Sequence, residues 1–440
     1  MGTPEMGSQR IATGSDPREV ASRIRALAPA LGDLPEEVAG TIEAVRGGGD
    51  AALLDLVERF DGARMDDLRV SASALDAARE SLDPALVEAL EVAAQNIRAV
   101  AKAQLQSEPV AVALPQGQEV RVRSVAVGAA GVYVPGGGAS YPSSVLMGCI
   151  PARVAGTSRV VVATPPGPDA RVDPAVLAAC GLVGADEVYA VGGAHAIAML
   201  AYGTETIDPV DVIAGPGSAR VQEAKVQVSR DVGIDSYAGP SELMVAFDDA
   251  QAVEWLTLDL LAQGEHGGAG LLVAAAPDGA LLDALDAEFA ARAVELDVEL
   301  PPLALIETTD NEASVEIANA LAPEHLQIVA DDARELADLV RTAGCVLVGT
   351  AAGTAFGDYV AGSNHILPTG GAGRFAGPVG PGTFRRPISI VDIPAEAAME
   401  LAPLVRELAE REGFPAHARS AAARAGAERA TDVAAKMEGS

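Results

Sequence analysis

The sequence predicts an α/β protein with two incomplete Rossmann-like domains, an N-terminal helical segment and a C-terminal helical tail. Between residues 121 and 230, short apolar strands alternate with glycine turns and helices, a pattern typical of a parallel sheet covered on both faces. A second set of strands and helices follows residue 242. At both ends of the chain, apolar residues recur at three- and four-residue spacing, which indicates amphipathic helices.

The N-terminal part, from residue 17 to about 105, is predicted to be helical. Segments such as DPREVASRIRALAP and PALVEALEVAAQNIRAVAKAQ keep apolar residues on one face and are bounded by Pro or Gly. We expect residues 1–28 to form an N-terminal arm. The helices that follow are expected to join a discontinuous first α/β domain, residues 29–131 and 243–370, which holds the catalytic residues.

Residues 132–242 are predicted to form the second α/β domain, on the cofactor side. The segments VYVPGGG, VYAVGGAH and VDVIAGPGSAR each read as a strand that ends in a glycine turn before a helix. Ligands bind such sheets beyond the carboxyl ends of the strands, and helix N-termini there can hold a pyrophosphate. None of the turns is a complete G-x-G-x-x-G motif, so their repetition, not any single turn, indicates a dinucleotide site.

Residues 371–440 are predicted to be a linker and a helical tail. FAGPVGPGTFRR is rich in Gly and Pro, and the residues beyond it are rich in Ala, Glu and Arg. A tail with so few apolar residues cannot form a core alone, so we expect it to pack on a partner subunit.

Composition excludes several classes of function. The 62 acidic residues against 31 basic ones give a formal net charge of −31, which argues against binding to nucleic acid or to an anionic membrane. No apolar stretch is long enough to predict a membrane span, and no GxxxxGK[ST] motif predicts a P-loop. The three widely spaced cysteines favour a reducing cytoplasm over a disulfide scaffold.

Two short segments pair polar residues at spacings suited to chemistry. Gln263 and His266 stand three residues apart near the end of a predicted helix, where one face can present both to a metal ion; alone, the pair also fits a polar helix end. Glu324 and His325 follow Pro323 at a helix-to-strand junction. There the carboxylate can activate water while the imidazole takes a hydroxyl proton, or the pair can be a solvated loop.

Four further residues are candidates with weaker signals. Asp358 and His365 lie in the Gly-rich segment GDYVAGSNH, which fits a zinc ligand and a wall of a site, or a capped turn with a surface histidine. His417 follows a proline in the tail and, by itself, fits an exposed helix residue. His195 opens a predicted helix after a glycine turn, where it can face a cofactor or pack internally.

Together these segments resemble the histidinol dehydrogenase family. The resemblance runs in family order from about residue 30 to 420. The matching segments are VYVPGG (132–137), VDVIAGPG (210–217), VGIDSYAGPSE (232–242), DLLAQGEH (259–266), APEHLQI (322–328), GDYVAGSNHILPT (357–369) and EGFPAH (412–417).

The resemblance implies a complete set of site residues. One zinc ion per subunit would be bound by Gln263, His266, Asp358 and, across a homodimer, His417 of the partner subunit. Glu324 and His325 would form the acid/base pair. The implied substrate contacts are Ser241, Gln263, His266, His325, Asp358, Glu412 and His417, and the implied cofactor contacts are Tyr133, His195 and Ser218.

The implied reaction is the four-electron oxidation of L-histidinol to L-histidine through a bound aldehyde, with two NAD⁺ and one water, which ends histidine biosynthesis. Zinc would hold the amine and imidazole of the substrate as a template. Two positions depart from the family, which usually has Gln at His195 and Asn at Ser218, and the GGAG segment after His266 lacks the acidic residues common there.

Three alternatives follow from these observations. A relative that oxidises another small alcohol, such as sulfopropanediol, would share the zinc ligands and the acid/base pair, although Glu412 favours a cationic or imidazole-bearing substrate. A zinc hydrolase needs an open coordination position and no dinucleotide turns. A non-catalytic binding protein does not need Glu324 and His325.

Overall fold

The computed structural model describes residues 8–14, 16–28, 34–105, 109–136, 139–296 and 298–425. The chain forms two compact units. The first comprises Met1–Leu105 and Val127–Phe384, and the second comprises Gln106–Ala126 and Arg385–Ser440. Among the described helices, none has the length and apolar character needed to cross a membrane.

Two parallel sheets and one antiparallel sheet account for the strands. In chain order, the strands of the described residues are β1 (Gln9–Arg10), β2 (Val110–Ala113), β3 (Glu119–Ala126), β4 (Ala129–Tyr133), β5 (Arg159–Thr164), β6 (Glu187–Ala190), β7 (Val212–Ala214), β8 (Gly233–Ile234), β9 (Glu242–Phe247), β10 (Leu271–Ala276), β11 (Leu303–Glu307), β12 (His325–Val329), β13 (Cys345–Val348) and β14 (Arg385–Asp392).

Helices connect most of these strands. In chain order, those described are α1 (Pro17–Arg25), α2 (Leu34–Phe60), α3 (Ala72–Ser81), α4 (Pro84–Gln104), α5 (Pro142–Ala155), α6 (Pro174–Val183), α7 (Gly193–Tyr202), α8 (Ala219–Val228), α9 (Val253–Gly264), α10 (Gly279–Ala293), α11 (Asn311–Leu321), α12 (Ala333–Ala337), α13 (Thr354–Tyr359), α14 (Ala395–Arg411) and α15 (Pro415–Ala425). Helix α2 is interrupted at Gly49, whose φ is +54°.

The five-stranded parallel sheet has the order β6-β5-β4-β7-β8. Its central strands consist mainly of buried Val, Ala and Ile residues, as expected for a sheet covered on both faces. Helices α5 and α6 share the core of one face, and α7 and α8 share that of the other. Because the chain runs from β4 to β5 and β6 and then returns to β7, the switch in strand order lies between β4 and β7.

The N-terminal helices α2, α3 and α4 contact the helices that cover the five-stranded sheet. Helix α2 contacts α7 and α8, α3 contacts α6, and α4 contacts α5, so these helices form an outer layer on the five-stranded sheet. Helices α5, α6 and α7 are buried on nearly all sides and need this second layer. Periodicity revealed the apolar face of each N-terminal helix but not its partner.

The six-stranded parallel sheet has the order β1-β11-β10-β9-β12-β13. Helices α9 and α10 bury their apolar residues on one face, and α1, α11 and α12 on the other. Within residues 8–28, β1 extends this sheet beside β11 and α1 packs against α11. These two parallel sheets confirm the predicted α/β class with two Rossmann-like halves.

The second unit contains an antiparallel sheet that the sequence did not predict. Strand β3 lies between β2 and β14, and β14 carries Pro387, which is tolerated because β14 is an edge strand. The predicted pattern of strands, turns and helices begins at residue 121, within β3, but β3 and the following β4 belong to different sheets. Helices α14 and α15 pack against each other and correspond to the predicted helical tail.

Candidate active site

A cavity of about 390 Å³ lies where the two parallel sheets meet. One side comes from the turns after β4 and β7, at the carboxyl edge of the five-stranded sheet. The other side comes from Ser241, Glu324 and His325, at the amino edge of the six-stranded sheet. The remaining polar lining residues are Tyr141, Ser143, Ser144, Ser218, Gln263, His266, Asp358, Tyr359 and His365.

The topology explains why these residues converge. Strands β9 and β12 are parallel neighbours, with His325 paired to Leu243, so Ser241 and Glu324 precede their strands at the same edge. Helix α9 returns the chain from the end of β9 to the start of β10, so its last turn, with Gln263, reaches that edge too. The predicted acid/base pair, Glu324 and His325, therefore lies at strand amino ends, whereas ligands of open α/β sheets ordinarily lie at carboxyl ends.

Glu324, His325 and Asp358 form one buried polar array. The Nε2 atom of His325 lies 3.3 Å from Oδ1 of Asp358, and its Nδ1 atom lies 3.7 Å from Oε2 of Glu324. His325 is only 2% exposed and Glu324 only 7% exposed. The imidazole thus stands between two carboxylates in a site that excludes most water.

Burial and charge shift the acid/base properties of all three groups. Burial raises the pKa of Glu324, and His325 only partly opposes this shift. Burial by itself lowers the pKa of His325, but the carboxylates of Glu324 and Asp358 outweigh it and hold that pKa well above its usual range. Burial likewise works to raise the pKa of Asp358, but His325 outweighs it and the pKa is lowered.

Gln263, His266 and Asp358 line the same cavity and are the predicted metal ligands that the structure brings together. Helix α9 ends at Gly264, so His266 lies just beyond the helix and not on its face as predicted. Among the described residues, no group of three or more His, Cys, Asp or Glu side chains is arranged to hold a metal ion; these donors are one imidazole, one carboxylate and one amide.

The amide of Gln263 fits a metal ligand. Gln263 is 3% exposed, its Nε2 donates to Oε2 of Glu324 at 3.3 Å, and its Oε1 has no hydrogen-bond partner within the described residues. An unpaired buried oxygen costs about 1–3 kcal/mol, and a cation in the cavity removes that cost. Amide, imidazole and carboxylate donors suit a borderline divalent ion such as zinc.

His365 supports Asp358 from behind. Its Nδ1 donates to the backbone oxygen of Asp358 at 2.8 Å. Its Nε2 lies 3.1 Å from Oγ of Ser144, so in the neutral ring Nε2 accepts from the hydroxyl. Burial lowers the pKa of His365, which favours this neutral form. The prediction of a wall residue beside Asp358 agrees with this position.

Two of the predicted cofactor residues meet around one glycine turn. The hydroxyl of Tyr133 accepts from the backbone N–H of Gly193 at 3.1 Å. The Nε2 atom of His195, 2% exposed, lies 3.1 Å from Oδ2 of Asp61, which also accepts from the N–H of Gly192 at 3.2 Å. Burial raises the pKa of Tyr133 to about 12, so its phenol stays neutral.

Ser218 lies on the neighbouring turn after β7. It precedes α8, makes no side-chain bond to the helix N-terminus and lines the cavity. A Cβ atom on Gly217 would stand 3.1 Å from the Tyr133 ring, so this turn lies directly against the aromatic side chain. Tyr133, His195 and Ser218 are therefore grouped beside the switch between β4 and β7.

Glu412 and His417 lie in the second compact unit. Glu412 directly follows α14 and His417 lies in the first turn of α15, and both are exposed. The rings of His417 and Phe414 have centroids 5.5 Å apart.

Sequence reasoning missed four residues that hold the site. Glu242 looked like a strand position although it follows Ser241 in a matching segment, and Arg25 looked like an ordinary basic residue at the end of a helix. Asp61 lay in a region predicted to join the other domain. Lys225 forms a fully buried ion pair with Asp235, a role that its position in the sequence did not indicate. The signal that could have identified them is a charged residue within an apolar stretch of sequence, because a charged residue that is buried is nearly always paired.

All three cysteines are free. Cys149 and Cys180 are fully buried, and burial raises the pKa of Cys149 to about 12. Both thiols therefore act as small apolar groups in the core of the five-stranded sheet.

Comparison with known proteins identifies the family of this chain. The histidinol dehydrogenase family model matches residues 29–425. A histidinol dehydrogenase of Synechococcus sp. is 41% identical over 393 residues, 86% of this chain and 89% of that protein. That of Methanothermobacter thermautotrophicus is 39% identical over 418 residues, 93% of this chain and 97% of that protein.

A solved structure shows the same fold. The crystal structure of histidinol dehydrogenase from Elizabethkingia anophelis superimposes with a TM-score of 0.88 at 29% identity, and the match covers 96% of this chain and 99% of that chain. With family, relatives and fold in agreement over nearly the full length, the chain belongs to the histidinol dehydrogenase family and is an oxidoreductase.

Proposed function

We propose that this chain oxidises L-histidinol to L-histidine in two successive NAD-linked steps, with the aldehyde kept bound between them. The observation that supports it most is the buried array of Glu324, His325 and Asp358, which opens on the same cavity as Gln263 and His266. The enzyme would act in the cytoplasm, as the last enzyme of histidine biosynthesis.

Gln263, His266 and Asp358 would hold a zinc ion, with His417 of the partner subunit as the fourth ligand in a homodimer. The unpaired oxygen of Gln263 supports this assignment from the structure. When bound, the zinc ion would supply a fixed attachment point for the amine and imidazole of the substrate. Ser241 at the cavity wall, and Glu412 from the tail, would add polar contacts to that cationic substrate.

His325 would remove the hydroxyl proton of the alcohol. Its imidazole lines the cavity, and a carboxylate faces each ring nitrogen, Glu324 at Nδ1 and Asp358 at Nε2. This arrangement stabilises the imidazolium that forms when the proton arrives. Because it also raises the pKa of His325, a higher pH would favour the neutral imidazole that accepts the proton. Loss of that proton accompanies loss of a hydride from the carbon, which gives the aldehyde.

Glu324 would activate the water that adds to the aldehyde. Its carboxylate is buried, faces the cavity and has a pKa raised by burial, which brings it closer to the value that suits a general base at neutral pH. Transfer of one water proton to Glu324, as the water oxygen adds to the carbonyl carbon, gives the anion of the hydrated aldehyde. A second hydride loss then completes the carboxylic acid.

The turns beside Tyr133, His195 and Ser218 would receive NAD, which supplies the hydride acceptor for both steps. The turns stand at the carboxyl edge of the five-stranded sheet, beside its switch in strand order, where dinucleotides bind in such folds. His195 stands where the family usually has Gln, and its side chain is directed at Asp61. It would therefore act on the cofactor through the Gly192 turn rather than by direct contact.

The experiment that tests this proposal counts NADH formed per histidinol consumed by the zinc-loaded enzyme. Two NADH per histidinol supports the four-electron reaction. A value of zero with histidinol, together with turnover of sulfopropanediol, would assign the chain to another alcohol within the family.

The first testable prediction concerns Glu324. Glu324→Gln should slow the oxidation of the aldehyde by about 10²- to 10⁴-fold, the usual contribution of a general base. The reduction of the same aldehyde to histidinol by NADH should change little, because that step adds no water. The exposed Glu335→Gln variant is the matched control. Equal loss in both reactions would contradict the role given to Glu324.

A further inference from the structure

Arg25, the last residue of α1, reaches the back of the candidate active site. Its guanidinium forms an ion pair with Glu242, with Nη2 3.0 Å from Oε2. The same Nη2 also donates to the backbone oxygens of Leu321, at 2.8 Å, and Ala322, at 3.2 Å. One side chain therefore holds both a buried carboxylate and the end of α11.

Glu242 is bonded in turn to the proposed base. The backbone N–H of Glu242 donates to Oε2 of Glu324 at 2.8 Å, and the backbone N–H of Glu324 donates to Oε2 of Glu242 at 3.3 Å. Oε1 of Glu242 accepts from the N–H of Gly370 at 3.0 Å. Glu242 is only 6% exposed, and Arg25 is the only cation paired with it among the described ion pairs.

The end of α11 needs a fixed partner. Ala322 has φ of +51°, in the left-handed region that is costly for a residue with a side chain. Pro323 and Glu324 follow it directly. Helix ends leave backbone oxygens without partners, and the guanidinium of Arg25 satisfies two of them here. The backbone that leads into Glu324 and His325 is thereby held in one conformation.

We propose that Arg25 is a positioning residue that sets the orientation of the Glu324 carboxylate through Glu242 and the end of α11. This inference rests on the proposed role of Glu324 in water addition. Without the guanidinium, Glu242 is a buried carboxylate with no cation, beside a second buried carboxylate. Such an uncompensated charge draws neighbouring donors toward it or forces the two carboxylates apart, and in either case Glu324 moves.

The test is a double-mutant cycle on the full-length, zinc-loaded enzyme. The unaltered chain is compared with Arg25→Met, Glu324→Gln and the double variant in two reactions of histidinal, the aldehyde between histidinol and histidine. Oxidation of histidinal by NAD⁺ needs water addition. Reduction of histidinal by NADH does not. Arg23→Met is the matched control, because Arg23 lies on the same helix and donates only to the backbone oxygen of Ala12 in the described structure.

Arg25→Met is expected to lower kcat for histidinal oxidation by about 10- to 100-fold, the effect of misplacing a catalytic group by roughly 1 Å. The KM for histidinal and the rate of its reduction should each stay within about threefold. In the Glu324→Gln background, Arg25→Met should have almost no further effect, because both changes act on the same group.

Other outcomes overturn the inference. An equally large effect of Arg25→Met with and without Glu324, or equal loss in both reactions, shows that Arg25 does not act through Glu324. If Arg25→Met does not fold, Arg25→Lys keeps the charge but loses the planar fork; a loss confined to the oxidation supports the inference, and a loss spread over both reactions contradicts it.

The same data separate the two proposals. Wild-type enzyme that oxidises neither histidinol nor histidinal contradicts the proposed function. A second outcome contradicts only the role of Arg25: the wild-type enzyme is active, Glu324→Gln slows the oxidation of histidinal but not its reduction, and the effect of Arg25→Met adds to that of Glu324→Gln. A Glu324→Gln variant that oxidises histidinal normally removes both the proposed base and the inference that rests on it.

Discussion

At the scale of single residues, Glu324 and His325 show how adjacent positions acquire different chemistry. Burial favours the uncharged form of each, which raises the pKa of Glu324 but works to lower that of His325. The histidine differs because two carboxylates face its ring and outweigh burial. Both groups therefore hold a proton more tightly than in water. Strongly shifted pKa values of neighbouring groups within one cavity are typical of sites that transfer protons.

Asp61 gives a second residue-scale prediction. Its carboxylate fixes both the ring of His195 and the N–H of Gly192, so Asp61→Ala frees the glycine turn proposed to receive NAD. Each lost hydrogen bond contributes about 0.5–1.5 kcal/mol, so the KM for NAD should rise roughly 2- to 10-fold or more while kcat changes little. Steady-state kinetics check this.

Asp55→Ala on the exposed side of α2 is the control for that change. A KM for NAD unaltered by Asp61→Ala would place the cofactor away from the Gly192 turn.

At the scale of elements, the Gly-Pro-Gly turn after β7 depends on a buried ion pair. Lys225 of α8 is fully buried and pairs with Asp235. Its Nζ donates to the backbone oxygen of Gly215 at 2.9 Å, and Oδ2 of Asp235 accepts from the N–H of Gly215 at 2.8 Å. Gly215 has φ of +140°, and a Cβ there would stand 2.2 Å from the backbone oxygen of Tyr133. The ion pair thus holds both polar groups of a residue that must be glycine.

The third prediction tests this brace. Lys225→Met leaves Asp235 buried without a cation, which should lower the free energy of unfolding by about 3–5 kcal/mol. Adding Asp235→Asn removes the unpaired charge but keeps an acceptor for the Gly215 N–H, so part of the loss should be recovered. Urea denaturation measures both variants.

The matched control is Arg220→Met, which breaks the exposed ion pair between Arg220 and Glu37 and should cost no more than about 1 kcal/mol. If Lys225→Met costs as little as Arg220→Met, the buried pair does not stabilise the turn.

At the scale of the whole molecule, the tail has the surface expected of a subunit contact. Several large apolar side chains of α14 and of the turn after it are exposed, with Leu404 at 57%, Leu408 at 65% and Phe414 at 53%. Clustered exposed apolar residues mark interaction surfaces, which supports the proposed homodimer. The division of the chain into one domain of residues 29–131 with 243–370 and a second of residues 132–242 stays a prediction. The contacts of α2, α3 and α4 with α5 to α8 favour a larger second domain.

The fourth prediction tests the shared site by complementation. If His417 serves the partner's cavity, a mixed dimer of Glu324→Gln and His417→Ala subunits contains one intact site and should oxidise histidinal at about half the wild-type rate per dimer. Either variant alone should be nearly inactive in that reaction. The mixed dimer is purified through two different affinity tags.

A mixed dimer of Glu324→Gln and Asp358→Ala subunits is the control, because both changes fall on residues of one cavity and no intact site forms. No recovery with His417→Ala would mean that His417 acts within its own subunit or not at all.

Much of the fold and site followed from the sequence because the signals were local. Strand, glycine turn and helix alternate along 121–230, and this pattern identified the parallel sheet. Matching segments identified Gln263, His266, Glu324, His325 and Asp358, which the structure places around one cavity. The helical tail was equally evident from its composition.

The tertiary structure decided the long-range partners. The sequence by itself determined which residues can act as acids, bases or ligands and which segments are helix or strand, since propensity and periodicity act over a few residues. It did not determine that α2 packs on α7, that β14 pairs with β3, or that Arg25 reaches Glu242. Those pairings depend on shape and charge between segments up to hundreds of residues apart, and periodicity within one segment carries no information about its partner.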